Sequence, residues 1–196
     1  MTSNELGYSP DGAETKPCGE RQNLYALVVY IPEPLGSFLD ELRLEMAPSC
    51  NPHAHVSVLP PRPLADEAAA ISESRAAVAQ CEPFDLELGA VEVFAATSVI
   101  YIGLSRGAEQ LRELHDRLNR GALAYTEPFP YHPHITLGQE LDVSQVEALR
   151  HLAARRWQVF QGPRAFRAEH TVFVQNVGGN TWIDVEVEPL RAAGVR

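Results

Sequence analysis

The chain carries one short pattern twice. Residues 53–58 read HAHVSV and residues 132–137 read HPHITL; in both, a His-x-His pair is followed by a β-branched residue, a hydroxyl residue and an aliphatic one. The second histidines, His55 and His134, stand 79 residues apart, about half a domain and far beyond a solenoid period. Such a repeat predicts two matching half-units. On an extended strand, side chains at i and i+2 share a face. His55 with Ser57, and His134 with Thr136, therefore point one way, while Val56 and Ile135 enter the opposite layer. Two such strands about a pseudo-twofold axis gather two imidazoles and two hydroxyls around one cleft.

The elements around the repeat come from periodicity and turn chemistry. Residues 24–31 form a β-branched and aromatic run closed by Pro32, which reads as a buried strand. Leu35, Phe38, Leu39, Leu42 and Met46 recur at helical spacing up to Pro48. His55–Leu59 is a short strand stopped by Pro60-Pro61, and Asp66–Gln80 is helical by propensity. Phe84–Val93 and Val99–Leu104 read as two strands joined by a turn near residues 95–98. Ala108, Leu111, Leu114 and Leu118 share a helical face, with Ser105 placed to cap and Gly121 to terminate. A Pro- and aromatic-rich loop leads into a strand at His134–Gly138. Ser144 and Glu147 make a capping box for a helix carrying Val146, Leu149 and Leu152. Strands near Phe166–Gln175 and Thr181–Val187 finish the chain around a Gly178-Gly179-Asn180 turn. Several strand pairs are joined by turns too short for a parallel crossover, so the fold class is α+β with antiparallel sheet.

Composition narrows the function. At 196 residues and 45% hydrophobic, the chain can bury a core as a single domain, expected over residues 22–190. Residues 1–21 are poor in large apolar groups and are expected to be a flexible tail; 191–196 form a C-terminal tail. The start of the chain resembles no signal peptide, and no apolar run is long enough to span a bilayer, so a cytoplasmic protein, free of membranes, is expected. Lys and Arg total 16 against 26 Asp and Glu, a net charge of −10. That disfavours tight binding of long nucleic acid, while leaving room for a short anionic substrate in a locally basic cleft. Cys18, Cys50 and Cys81 lack CxxC spacing and read as free thiols. A monomer is expected.

Two imidazoles and two hydroxyls suit phosphoester chemistry. The hydroxyls donate to non-bridging oxygens, one neutral imidazole deprotonates a nucleophile, and the other, protonated, protonates the leaving oxygen. His55 and His134 are thus the candidate base and acid, in an order the sequence leaves open, with Ser57 and Thr136 as phosphate-positioning donors and no metal or other cofactor required. Opposite protonation states imply a bell-shaped pH–rate profile.

The two motifs, His55-Val56-Ser57-Val58 and His134-Ile135-Thr136-Leu137, with their flanks HVSVLPPRPL and PYHPHITLGQ, resemble the 2H phosphoesterase superfamily and its bacterial 2′-5′ RNA ligase-like branch. The resemblance spans residues 23–188. It implies a bilobal α+β fold, two pseudo-symmetric antiparallel sheets with outer helices around a central cleft. It also implies metal-independent hydrolysis of 2′,3′-cyclic phosphate or 2′-5′ phosphodiester bonds, with reversible RNA ligation in some members. Members often carry a basic residue just after the second motif; Gly138-Gln139 stands there in this chain, and the nearest basic candidate is Arg62.

Arg62, in a Pro-framed stretch after the first motif, is either a phosphate fork or a surface arginine. Phe129 and Tyr131 either stack on a nucleobase or pack the loop. His53 and His132 support the loops at most. His115 and His151 read as solvated or half-buried helix residues, His170 as a core or cleft-rim histidine, and Tyr101 as a packed aromatic. Three other readings compete with hydrolysis of an RNA end. They are a metal hydrolase using four imidazoles, a non-catalytic module holding a phosphorylated ligand or RNA end, and an enzyme for a small cyclic phosphate of the ADP-ribose type.

Overall fold

Alternating hydrophobicity resolves into two four-stranded sheets in the computed structural model, which describes residues 20–48, 50–51 and 53–191. In chain order the elements are β1 (Tyr25–Tyr30), α1 (Leu35–Met46), β2 (His55–Arg62), α2 (Glu67–Val78), β3 (Phe84–Phe94), β4 (Val99–Arg106), α3 (Ala108–Leu118), β5 (Ile135–Gly138), α4 (Val146–Val159), β6 (Ala165–Ala168), β7 (His170–Asn176) and β8 (Trp182–Pro189). The first sheet runs β2-β1-β7-β8 and the second β5-β4-β3-β6, with every strand pair antiparallel. The architecture is bilobal α+β. Most of the expected 1–21 tail, Cys18 and most of the C-terminal tail lie outside the described residues. Cys50 and Cys81 are free thiols. No helix among the described residues is long and apolar enough to cross a membrane.

The helices cross between the lobes. α1 follows a strand of the first sheet yet packs on β5 of the second, and α3 follows a strand of the second yet packs on β2 of the first. Their apolar rows, Leu35, Leu39, Leu42 and Met46 on α1 and Leu111, Leu114 and Leu118 on α3, join Leu27, Val56, Val58, Ile100, Ile102, Ile135 and Leu137 in one core. Burying a side chain of this size stabilises by about 1.5–3 kcal/mol, so the exchange ties the lobes through their interiors. β2 and β5 are each an edge strand, and they contact one another. The two motif strands thus meet at the junction of the lobes.

Several local expectations are corrected. Pro60-Pro61 does not stop β2, which runs on to Arg62; β2 is an edge strand, where a missing N–H can face away from the ladder. Phe166–Gln175 is not one strand. It divides at Glu169 into β6, paired with β3, and β7, paired with β1, so the chain changes sheet there. Ser105 belongs to β4 and bonds the Glu87 carbonyl, while Gly107, at φ 86°, opens α3. α3 ends at Asn119, before Gly121. Gln145 precedes α4 without a side-chain cap, and the Ser144 hydroxyl instead bonds Asp142. His115 is buried and His170 exposed. The 178–180 turn forms as read, with positive φ at all three residues.

Candidate active site

The repeat persists in three dimensions down to its burial. His53 and His132 are exposed, Ala54 and Pro133 buried, His55 and His134 half-buried, Val56 and Ile135 buried, and Ser57 and Thr136 half-buried. Strand alternation produces this pattern: the valine, isoleucine and leucine positions anchor each strand in the core and leave imidazole and hydroxyl on the opposite face. Both faces line a cleft of about 990 Å³ between the sheets.

Backbone geometry sets the chemistry of the two imidazoles. His55 Nδ1 donates to the His53 carbonyl at 2.6 Å, and His134 Nδ1 donates to the His132 carbonyl at 2.6 Å. A carbonyl only accepts, so Nδ1 carries the proton and each neutral ring keeps its Nε2 lone pair for a ligand. Desolvation depresses both. His55 is pushed down to about 4, with the nearby charges of Arg43, His53 and His134 adding to the effect and the His53 carbonyl opposing it. His134 is lowered by desolvation, with the His132 carbonyl opposing. Phe94 and Tyr101, stacked on each other at 3.9 Å, turn their edges to the His134 ring at 5.0 and 5.3 Å. These rings form the apolar wall that keeps water from the imidazole.

The outer histidines do separate work. His53 stacks on Tyr30 at 3.7 Å, and the Tyr30 hydroxyl donates to Asp184 at 2.6 Å. His132 meets Phe94 edge-on at 5.3 Å. Among the described residues no group of three or more His, Cys, Asp or Glu is placed to hold a metal ion.

Of the remaining candidates, Ser57, Thr136, Phe129 and Tyr131 line the cleft. Phe129 is 58% exposed there. Tyr131 is a strut: its ring stacks on His115 at 4.0 Å, and its hydroxyl donates to the Ser57 carbonyl at 2.7 Å, tying the approach to the second motif to the strand of the first.

Arg62 does not reach the cleft. It pairs with Tyr25 beyond two register shifts in β2, which put it on the core face with Val56 and Leu59. At 1% exposure it donates to the Pro60 and Leu123 carbonyls, to Asn119, and to Glu127 at 2.6 Å. Glu127 also bonds His115 Nε2 at 3.0 Å. Arg62, Glu127, His115 and Tyr131 form one chain of contacts behind the second motif.

The residue that sequence reasoning missed is Arg43. It lines the cleft from α1 and is the one Lys or Arg among the lining residues described. The available signal was a charge at the margin of the α1 apolar row, three residues before Met46 and four after Leu39.

Residues 31–180 match the model of the 2′-5′ RNA ligase superfamily. The chain belongs to that superfamily. A protein of Oceanobacillus iheyensis, named as a putative phosphoesterase, is 32% identical over 73 residues, which is 37% of this chain and 42% of that protein. Solved structures share the fold. TT0787 of Thermus thermophilus matches with a TM-score of 0.63 at 16% identity, covering 87% of this chain and 100% of that one. E. coli LigT, crystallised with phosphate, gives 0.60 at 15% over 88% and 99%. Usb1 of Kluyveromyces marxianus gives 0.55 at 16% over 87% and 99%.

Proposed function

We propose that the chain is a metal-independent phosphodiesterase that opens 2′,3′-cyclic phosphates, or cleaves 2′-5′ phosphodiester bonds, of RNA ends or small nucleotides. Reversible 2′-5′ ligation is the same chemistry with a 5′-hydroxyl in place of water as the nucleophile, the 3′ oxygen again leaving. The observation that carries this reading is the matched pair of Nδ1–carbonyl bonds, which leaves two Nε2 atoms free on adjacent strands of one cleft.

With a cyclic phosphate bound, Ser57 and Thr136 hydroxyls donate to its non-bridging oxygens. The neutral imidazole takes a proton from water as the water oxygen bonds to phosphorus. The protonated imidazole gives its proton to the 3′ oxygen as the phosphorus–oxygen bond breaks, leaving a 2′-phosphate. The two rings exchange protonation states and are reset through solvent. General acid and base catalysis contributes about 10²–10⁴-fold. Neither proton transfer needs a metal, and the separate packing of His53 and His132 supports that reading.

The test is turnover of a 2′,3′-cyclic nucleotide in excess EDTA, with the product's phosphate position recorded. Sustained turnover to the 2′-phosphate is expected. Activity lost in EDTA and restored by zinc contradicts it, and binding of the nucleotide without turnover makes the chain a binding module.

A further inference from the structure

The cleft offers almost no positive charge to an anionic ligand. Arg62 is buried and spent on Glu127 and three other acceptors. Both motif imidazoles are held largely neutral near pH 7 by desolvation. Gly138 and Gln139, which follow the second motif, bring no charge, and a Cβ at position 138 would press on the side-chain ends of Leu141 at 2.9 Å and Met46 at 3.0 Å.

Arg43 occupies the same neighbourhood. It lies one helical turn before Met46, which packs on Gly138, and its charge is felt at His55. Burial lowers the Arg43 pKa, with Cys50 and Asp40 opposing, an arginine remaining charged all the same, and Arg43 forms no side-chain hydrogen bond or ion pair with any described residue. A half-buried guanidinium whose donors meet no acceptor among the described residues, beside an imidazole that must meet a phosphate, is arranged for an oxyanion.

We propose that Arg43 is the phosphate-anchoring residue of the cleft, presented to the motif strands from α1 and binding the non-bridging oxygens of a substrate that carries a single phosphate charge. The class of substrate follows from the rest of the lining. Ala26, Val28 and Val174 form an apolar floor bordered by Tyr30 and Trp182, suited to the flat, uncharged part of a nucleotide. One cation and an apolar floor favour a mononucleotide-sized phosphodiester over a polyphosphate or long RNA. This inference rests on the phosphodiesterase reading for the identity of the substrate, but not for the binding of phosphate.

The experiment measures calorimetric binding of inorganic phosphate and of a 2′-mononucleotide to the full chain, alongside turnover of the cyclic nucleotide. Arg43→Gln should weaken both ligands about 10–100-fold, as expected for a lost charge-assisted hydrogen bond, and raise KM more than it lowers kcat. Arg43→Lys, which keeps the charge, retains part of the affinity and separates charge from packing. Arg155→Gln, the same charge change on the exposed face of α4, leaves both unchanged. NMR titration of the free protein adds a readout independent of turnover: Arg43→Gln moves the His55 titration to higher pH. Unaltered phosphate affinity in a folded Arg43→Gln variant, or a wild type that binds no phosphate, overturns the proposal. Arg43-dependent phosphate binding without turnover leaves the proposal standing and removes the phosphodiesterase reading.

Discussion

The pH dependence of kcat/KM reports the ionisation of the free enzyme, and the environment of the two histidines fixes where it must lie. In the proposed mechanism, productive encounters need one imidazole protonated and the other neutral. Taking a ring out of water disfavours its charged form, so both protonations require more acid than an ordinary histidine with its value near 6.5. The acidic limb, where the second imidazole gains a proton and no base remains, falls near pH 4, the region to which His55 is pushed. The alkaline limb, where the last proton is lost, falls below 6.5 and drops about tenfold per pH unit beyond it. A stopped assay of kcat/KM on a cyclic nucleotide from pH 3.5 to 9 should therefore show a maximum between about 4 and 6.5. Bound phosphate stabilises an imidazolium, so the alkaline limb of kcat should lie about one pH unit or more higher than that of kcat/KM. Phe94→Ala, which opens the apolar wall at His134, should shift the alkaline limb of kcat/KM upward. A kcat/KM maximum above pH 7, or an alkaline limb indifferent to Phe94, refutes this reasoning.

Tyr131→Phe removes the hydroxyl bond to the Ser57 carbonyl and keeps the stack on His115; thermal unfolding should show a loss of about 0.5–1.5 kcal/mol, with a fall in kcat as the motifs lose register. Phe129→Ala should raise KM for a nucleotide by the worth of one stacked base, about 1–3 kcal/mol, without changing thermal stability, because the ring is exposed. Glu188, at 1% exposure, accepts from Ser74 and Thr171, and burial raises it to about 7. A carboxyl raised above its unfolded value contributes stability that is complete below 4.5 and lost as pH rises through about 7. Glu188→Gln, which still accepts both hydroxyls, should therefore gain up to about 3 kcal/mol over wild type between pH 5 and pH 8 in denaturant titrations.

Much of this site was legible because it rests on strand alternation. The motif HAHVSV against HPHITL predicts which side chains face a ligand and which the core, and the two copies carry the same burial pattern position by position. α1 was legible to the residue, since its apolar spacing and flanking prolines agree with each other. What escaped depends on tertiary context. Whether Pro60-Pro61 ends a strand turns on whether that strand lies at an edge. The division of Phe166–Gln175 between two sheets leaves no mark in hydrophobicity, because both halves are strand-like. Arg62 and Arg43 are each a single arginine in the sequence, and packing sets where they lie: one is drawn inward to Glu127, while the other is carried to the cleft by a helix that crosses between lobes.

The central claim, that His55 and His134 act as one acid–base unit, is tested most directly by kcat on a 2′,3′-cyclic nucleotide in excess EDTA for His55→Ala, His134→Ala and the double variant. If the two act together, each single substitution lowers kcat by about 10²–10⁴-fold, and the double variant is scarcely slower than either, since removing one partner already disables the other. Losses that multiply in the double variant, or a single variant that keeps near-wild-type kcat, would contradict it.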